Sequence, residues 1–214
     1  MTLPLSADEV LSTTRAVRKR LDLTRPVPRR LIEECVDLAT QAPTGRNRQR
    51  WHFLVVTDKD RRAAVAEVYR RAVRVAEAAP LSSRDLQRMN AHGSWPRIAA
   101  GVDYLYQHIH QVPAFVIPAV EGRTDRASVA EQAGTWGSIL PAVWSFMLAA
   151  RARGLGTVWT TAQAPLERDL ARVLGVPYDQ VMLAAFIPLA FTLGTNFRPA
   201  QRVPRDQVLH WDSW

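Results

Sequence analysis

Apolar positions along this chain recur at helical spacing in some stretches and gather into short unbroken runs in others. Ser6 with Glu9 three residues on makes a capping box, which predicts a short helix from about residue 7 to 14. Residues 15–26 alternate charged and small side chains without helical period and read as irregular or as a short strand. Pro28 suits a first helical position, where its missing N–H would be unpaired anyway. Leu31, Cys35, Leu38, Ala39 and Ala42 follow on one face, and Pro43 stops that helix. Residues 51–57 (WHFLVVT) are rich in β-branched and aromatic side chains and predict a buried strand. Asp58 is placed to cap a helix over residues 59–78, with Val65, Val68, Ala72, Val75 and Ala76 facing inward.

Residues 79–95 form a long polar excursion, a length at which loops often act as lids over a substrate face. A helix is expected from Pro96 to about His110, then a second strand over residues 113–120. Pro113 and Pro118 predict that this strand is irregular or lies at an edge. A long helix over residues 129–153 carries Trp136, Leu140, Val143, Trp144, Met147 and Leu148, with Gly154 as its C-cap. A third strand (residues 156–161), a helix (165–174) ended by Gly175 and a fourth strand (181–193) complete the pattern. Without repeats, low-complexity tracts or a long linker, the chain reads as one domain over residues 1–214. Helices and strands mix without strict β-α-β alternation, so the expected class is α+β. Residues 194–214 hold Phe197, Trp211 and Trp214 with little regular period. Large aromatics are costly to leave in water, so this arm is expected to lie on another surface, of this chain or of a second copy. The second case would make the protein a homodimer.

Composition narrows the class. At 214 residues, 47% hydrophobic and 22% charged, the chain is globular, which excludes disorder and collagen-like sequence. No uninterrupted apolar run reaches the ~18 residues of a membrane span, and the run over 181–193 is broken by Pro188. The N-terminus lacks a secretion-signal pattern, so a cytoplasmic location away from membranes is expected. The net charge of +8 rests on 26 Arg and 2 Lys. These cations run from Arg15 to Arg205 with no nucleic-acid module framing them, so a polynucleotide partner is not expected. Guanidinium groups suit phosphate and carboxylate, which points to a small anionic ligand as the alternative to a merely solvated surface.

Most common chemistries find no support. The single Cys35 lies on the apolar stripe and reads as a small buried hydrophobe. His108 and His110 are two apart on an expected helix and point to different faces, HExxH is absent, and no metal is expected. No Gly-x-Ser-x-Gly elbow exists, and Ser138 falls inside a helix. Gly154 and Gly156 lie after a helix and before a strand, the wrong order for a dinucleotide fingerprint. What remains is a set of polar clusters between apolar elements: Thr14, Arg15, Ala16, Val17 and Arg18; Pro43, Thr44, Gly45, Arg46 and Asn47; Trp159, Thr160 and Thr161; and Arg202. Together they offer cations for a phosphate, amides and hydroxyls for a ring edge, and apolar walls for ring faces.

In order and spacing, TTRAVRKR, APTGRNRQRW, ILPAVWSFMLAARARGLGTVWTT and FRPAQRVP resemble segments of the FMN-dependent nitroreductase family, over residues 13–214. The resemblance implies a central, mostly antiparallel sheet flanked by helices, with a C-terminal arm exchanged in a homodimer. It implies FMN as cofactor, NAD(P)H as donor, and nitroaromatic, quinone or related acceptors reduced in a ping-pong cycle, with no protein acid or base required. It assigns Arg15 and Arg18 to the FMN phosphate and its ribityl or pyrimidine end, with Ala16 and Val17 contributing backbone. Pro43, Thr44, Gly45 and Asn47 would reach a flavin bound mainly by the partner subunit. Trp159, Thr160 and Thr161 would face the isoalloxazine, and Arg202 would close over the phosphate. Ala200 stands where many members have Lys. Two other readings stay open at this point: a flavin-binding storage or sensory protein without turnover, and a basic nucleic-acid-binding protein.

Overall fold

The computed structural model describes residues 2–78, 80, 82–90 and 93–214. In chain order the helices are α1 (Ala7–Thr13), α2 (Arg29–Ala39), α3 (Lys59–Glu77), α4 (Ser83–Asn90), α5 (Trp95–His108), α6 (Val129–Ala152) and α7 (Glu167–Leu174). The strands are β1 (Trp51–Val56), β2 (Ala114–Glu121), β3 (Leu155–Thr157), β4 (Val181–Leu183) and β5 (Ile187–Phe191). They form one sheet in the order β1-β2-β5-β3, with β4 also paired to β2, and every pairing is antiparallel. The α+β class follows directly.

Side-chain alternation along the strands divides the core in two, because successive residues point to opposite faces. From β2, Phe115, Ile117 and Ala119 join Val65 and Tyr69 of α3, Leu105 of α5 and Leu170 of α7. Ala114, Val116 and Val120 instead meet Ile32, Cys35 and Ala39 of α2, and Ile139, Val143 and Phe146 of α6. The capping box expected at Ser6 is formed, Ser128 with Glu131 makes a second one at the start of α6, and Asp58 accepts the Arg61 N–H at the start of α3.

Several expectations shift. β2 is the centre of the sheet, with its seven residues from Ala114 to Val120 buried, rather than an edge. Pro118 is tolerated there because β2 changes partner around it, from β5 at residues 114–116 to β4 at 119–121. Only its carbonyl is used on that side, accepting the Ala184 N–H at 2.8 Å. The path ends at β1 and at β3, and the burial of β1 is partial: Val56 is buried and Val55 exposed. The expected fourth strand is two, split at residues 184–186, where Ala184 still bonds Pro118 of β2 but Phe186 pairs with Thr160. The third strand ends at Thr157 for the same reason. On α2 the buried face is Ile32, Cys35 and Ala39, with Leu38 exposed; on α3 it is Val65, Ala66, Val68, Tyr69, Ala72 and Val73, with Val75 and Ala76 exposed. The excursion over 79–95 contains α4; its residues Ala79, Leu81, Ala91 and His92 lie outside the described residues. α6, at 24 residues, is long and apolar enough to cross a membrane by length and composition. Here it packs against α2, β2 and β3 instead.

Candidate functional site

Beyond α1, residues 15–17 run beside β3. Ala16 bridges Thr157, whose carbonyl accepts the Val17 N–H at 2.9 Å. That docking needs a glycine at 156: a methyl group there would sit 2.8 Å from Thr192 Cγ2 and 3.0 Å from both Leu21 Cδ2 and Val17 Cβ. The chain then turns, and Leu21 bridges Thr192, which brings residues 15–21 alongside the root of the C-terminal arm.

Arginines fix that root. The Arg20 guanidinium donates to the Leu193 carbonyl (2.9 Å), the Asn196 carbonyl (3.1 Å) and Asn196 Oδ1 (2.9 Å). It also lies over the Phe197 ring at 4.2 Å, while the buried Arg151 approaches the same ring at 4.9 Å. Arg151 donates to Thr13 Oγ1 and the Thr195 carbonyl, and its Nη1 has no partner. Burial and the neighbouring Arg20 both push the Arg151 pKa down. Arg15 adds a bond from Nη1 to the Arg198 carbonyl at 2.8 Å.

Between these segments and α5 opens a pocket of about 700 Å³. Among the described residues its walls carry Arg15, Arg18, Lys19, Arg20, Arg97, Arg198 and Arg202, seven cations, and no carboxylate. None of the seven forms an ion pair among the described residues. Elsewhere arginines are routinely matched, as Arg29 is to Glu33, Arg153 to Glu34 and Arg123 to Asp125 and Glu167. Val17, Ile98, Phe197 and Val203 supply apolar surface in the same pocket. Arg18 is half-buried and runs past Gly101, where a methyl group would stand 3.3 Å from its Cδ. Burial lowers the Arg18 pKa, opposed by Tyr69. Tyr69 stacks on Phe186 at 5.2 Å, and burial raises its phenol pKa against the pull of the Thr160 hydroxyl and Arg18.

The pocket thus unites Arg15, Ala16, Val17, Arg18 and Arg202. Trp159, Thr160 and Thr161 do not line it. Thr160 pairs with Phe186 through both backbone groups, and Trp159 packs among residues of the α2–α6 side. Pro43, Thr44, Gly45 and Asn47 lie elsewhere, against α6. There the Gly45 N–H donates to Ser138 Oγ at 3.1 Å, and Thr44 Oγ1 accepts the Gln49 N–H at 3.2 Å. Arg46, Asn47 and Gln49 all hold positive φ (57°, 53° and 49°), a conformation that L side chains adopt at a cost. Cys35 is inert, since burial pushes its thiol up to about 12. His108 Nδ1 bonds the Tyr104 carbonyl and His110 Nδ1 faces Arg70 Nη2, so the two imidazoles are separately engaged.

Sequence reasoning missed Arg20, Arg151, Lys19, Arg97 and Gly101. A lone arginine in the apolar run of α6 was a usable signal for Arg151. Nothing local marks Arg97 or Gly101, which meet the 15–20 segment only through the fold.

The match to a family model decides what frame these residues belong to: the Nitroreductase family description covers residues 11–190. The chain belongs to the nitroreductase family. Among relatives, a 4-nitrobenzoate reductase of Nocardioides sp. (strain LMS-CY) is 24% identical over 231 residues, covering 96% of this chain and 90% of that protein. Among solved structures, a point variant of the FMN- and NADPH-dependent nitroreductase NfnB of Sphigopyxis sp. strain HMH is 25% identical with a TM-score of 0.75. That likeness covers 98% of this chain and 100% of the other. A BluB-like flavoprotein from Clostridium difficile 630 shares the fold at 18% identity and a TM-score of 0.72, over 98% and 100% of the two chains. In this nitroreductase-family chain the pocket fits a ligand with a phosphate tail: cations without counter-charges among the described residues, apolar surface beside them, and Gly101 leaving the space Arg18 occupies.

Proposed function

We propose that this nitroreductase-family chain is an FMN-dependent oxidoreductase. It would pass electrons from NAD(P)H to nitroaromatic, quinone or related acceptors. The observation that carries this reading is the pocket of unpaired cations built from residues 15–20 and the arm. Arg15, Arg18, Arg198 and Arg202 would hold the phosphate and ribityl end, with Ala16 and Val17 offering backbone. Arg198 shares the pocket with Ala200, so it supplies a charge that position 200 does not. Bound FMN supplies reversible two-electron chemistry between a nicotinamide donor and an acceptor.

The chain's own residues bind and orient. Arg15 is tied to the arm carbonyl of residue 198, and Arg18 is wedged against Gly101, so two guanidinium groups are held before any ligand arrives. Such preorganisation lowers the entropic cost of binding. Phe197, held by Arg20 and Arg151, keeps the arm root against the pocket. Donor and acceptor would use the same open face in turn, a ping-pong order. In a homodimer, the 43–47 loop and residues 159–161 would come from the two copies to the ring end of the ligand, away from the phosphate.

The visible spectrum tests the reading. Purified protein, or protein incubated with FMN and freed of unbound flavin on a desalting column, should show a flavin band at ~450 nm. NADPH should remove the band under nitrogen, and a nitroaromatic should restore it. Protein that carries no flavin band through a desalting column after incubation with FMN would end this proposal; a band that NADPH leaves unchanged would end the enzymatic part.

A further inference from the structure

The pocket holds more positive charge than one resident phosphate needs. A phosphate monoester carries about −1.5 to −2 at neutral pH. Arg20 has its donors committed to the arm root at residues 193 and 196. Arg15, Arg18, Arg198 and Arg202 serve the FMN tail on the reading above. Lys19 and Arg97 remain. Both are exposed, both line the same pocket, and neither makes an ion pair among the described residues.

Arg15 and Arg18 are half-buried, and Arg15 is bonded to the arm that carries Arg198 and Arg202, an arrangement that fits a group that stays. Lys19 and Arg97 are exposed and lie off the arm, which fits an anion that arrives and leaves in each turnover. NADPH and NADH differ by a single 2′-phosphate, and a guanidinium is suited to binding such a group through paired N–H bonds. Quinones and simple nitroaromatics bring no comparable charge. We infer that Arg97, with Lys19, forms a second anion subsite that takes the 2′-phosphate of the nicotinamide donor and makes this enzyme prefer NADPH. The inference rests on the FMN-oxidoreductase reading.

The test compares wild type, Arg97→Ala and Arg97→Lys as FMN-loaded enzymes, with two readouts. The first is kcat/KM for NADPH and for NADH. The second is calorimetric binding of adenosine 2′,5′-bisphosphate and of AMP. Wild type should favour NADPH and bind the bisphosphate more tightly than AMP. Arg97→Ala should lower the NADPH:NADH ratio by about tenfold, the scale of one charge-assisted contact, with NADH rates and FMN content unchanged. Bisphosphate binding should weaken by a similar factor, AMP binding should not change, and Arg97→Lys should recover part of both losses. An unchanged ratio, equal losses for both donors, or an effect confined to acceptors bearing a carboxylate would overturn the subsite. Loss of FMN from Arg97→Ala would assign Arg97 to the resident cofactor, overturning the subsite and leaving the proposed function intact. If wild type takes up no FMN, the underlying reading falls, and bisphosphate binding no tighter than AMP binding would then overturn the subsite on its own.

Discussion

Arg18 keeps its position because residue 101 has no side chain. An alanine there would place a methyl group 3.3 Å from Arg18 Cδ, so the guanidinium stem would have to give. The same change removes a glycine from the interior of α5, where Ala is favoured by up to ~1 kcal/mol. Gly101→Ala should therefore leave the melting temperature equal or higher while weakening FMN binding by a few-fold. Fluorescence titration with FMN alongside a thermal melt separates the two effects, and unweakened binding would show that Arg18 does not depend on that gap. Arg202 is exposed and bonded only to the neighbouring Gln201 carbonyl at 3.2 Å, so its side chain does little for the fold. Arg202→Ala should lose FMN on gel filtration without a change in stability; full flavin content after the column would remove Arg202 from the phosphate site. At this scale the basic run TTRAVRKR was legible as a cluster of cations, because charge density and order survive in one dimension, and the structure places residues 15–20 along one pocket. The contributions of Gly101 and Arg97 were not, because each acts on residues some eighty positions away and leaves no periodic trace.

At the level of elements, helix termini were the most legible feature and strand boundaries the least. A capping box is local chemistry, so Ser6 with Glu9 announced α1 to within a residue; α6 has one at Ser128 as well, although its apolar residues and Gly154 were what marked it in the sequence. Strands buried on both faces give unbroken apolar runs, and the run over 181–193 concealed the break that sends Ala184 to Pro118 and Phe186 to Thr160. On α2, apolar residues occupy more than one face, and packing against α6 selected Ile32 over Leu31 as the fully buried position. The junction between residues 15–17 and β3 is the most sterically demanding element contact near the pocket. Gly156→Ala should cost ~1–3 kcal/mol, as expected when a filled core must accept an added methyl group. Urea denaturation measures that loss. FMN affinity should fall with it, since Val17 Cβ is one of the three atoms displaced. An alanine variant of wild-type stability would mean the sheet yields there freely.

For the whole molecule, the arm is the feature that a single chain leaves unfinished. Trp211 is 78% exposed, Trp214 is fully exposed, and Val208 and Leu209 stand in solvent beside them. Apolar surface of this kind favours association, and we propose that a second copy covers it, as the sequence led us to expect. The full chain should sediment as a dimer at micromolar concentration, and a chain ending at Arg202 should sediment as a monomer. A well-folded full-length monomer would refute this. The pocket also has an energetic effect on the protein before any ligand binds. Like charges crowded without partners repel one another, so the flavin-free protein folds against a strain that any small oxyanion can relieve. Buffers are then not neutral bystanders: inorganic phosphate or sulfate should raise the unfolding temperature of the apoprotein and slow cofactor uptake, where chloride at equal ionic strength does neither.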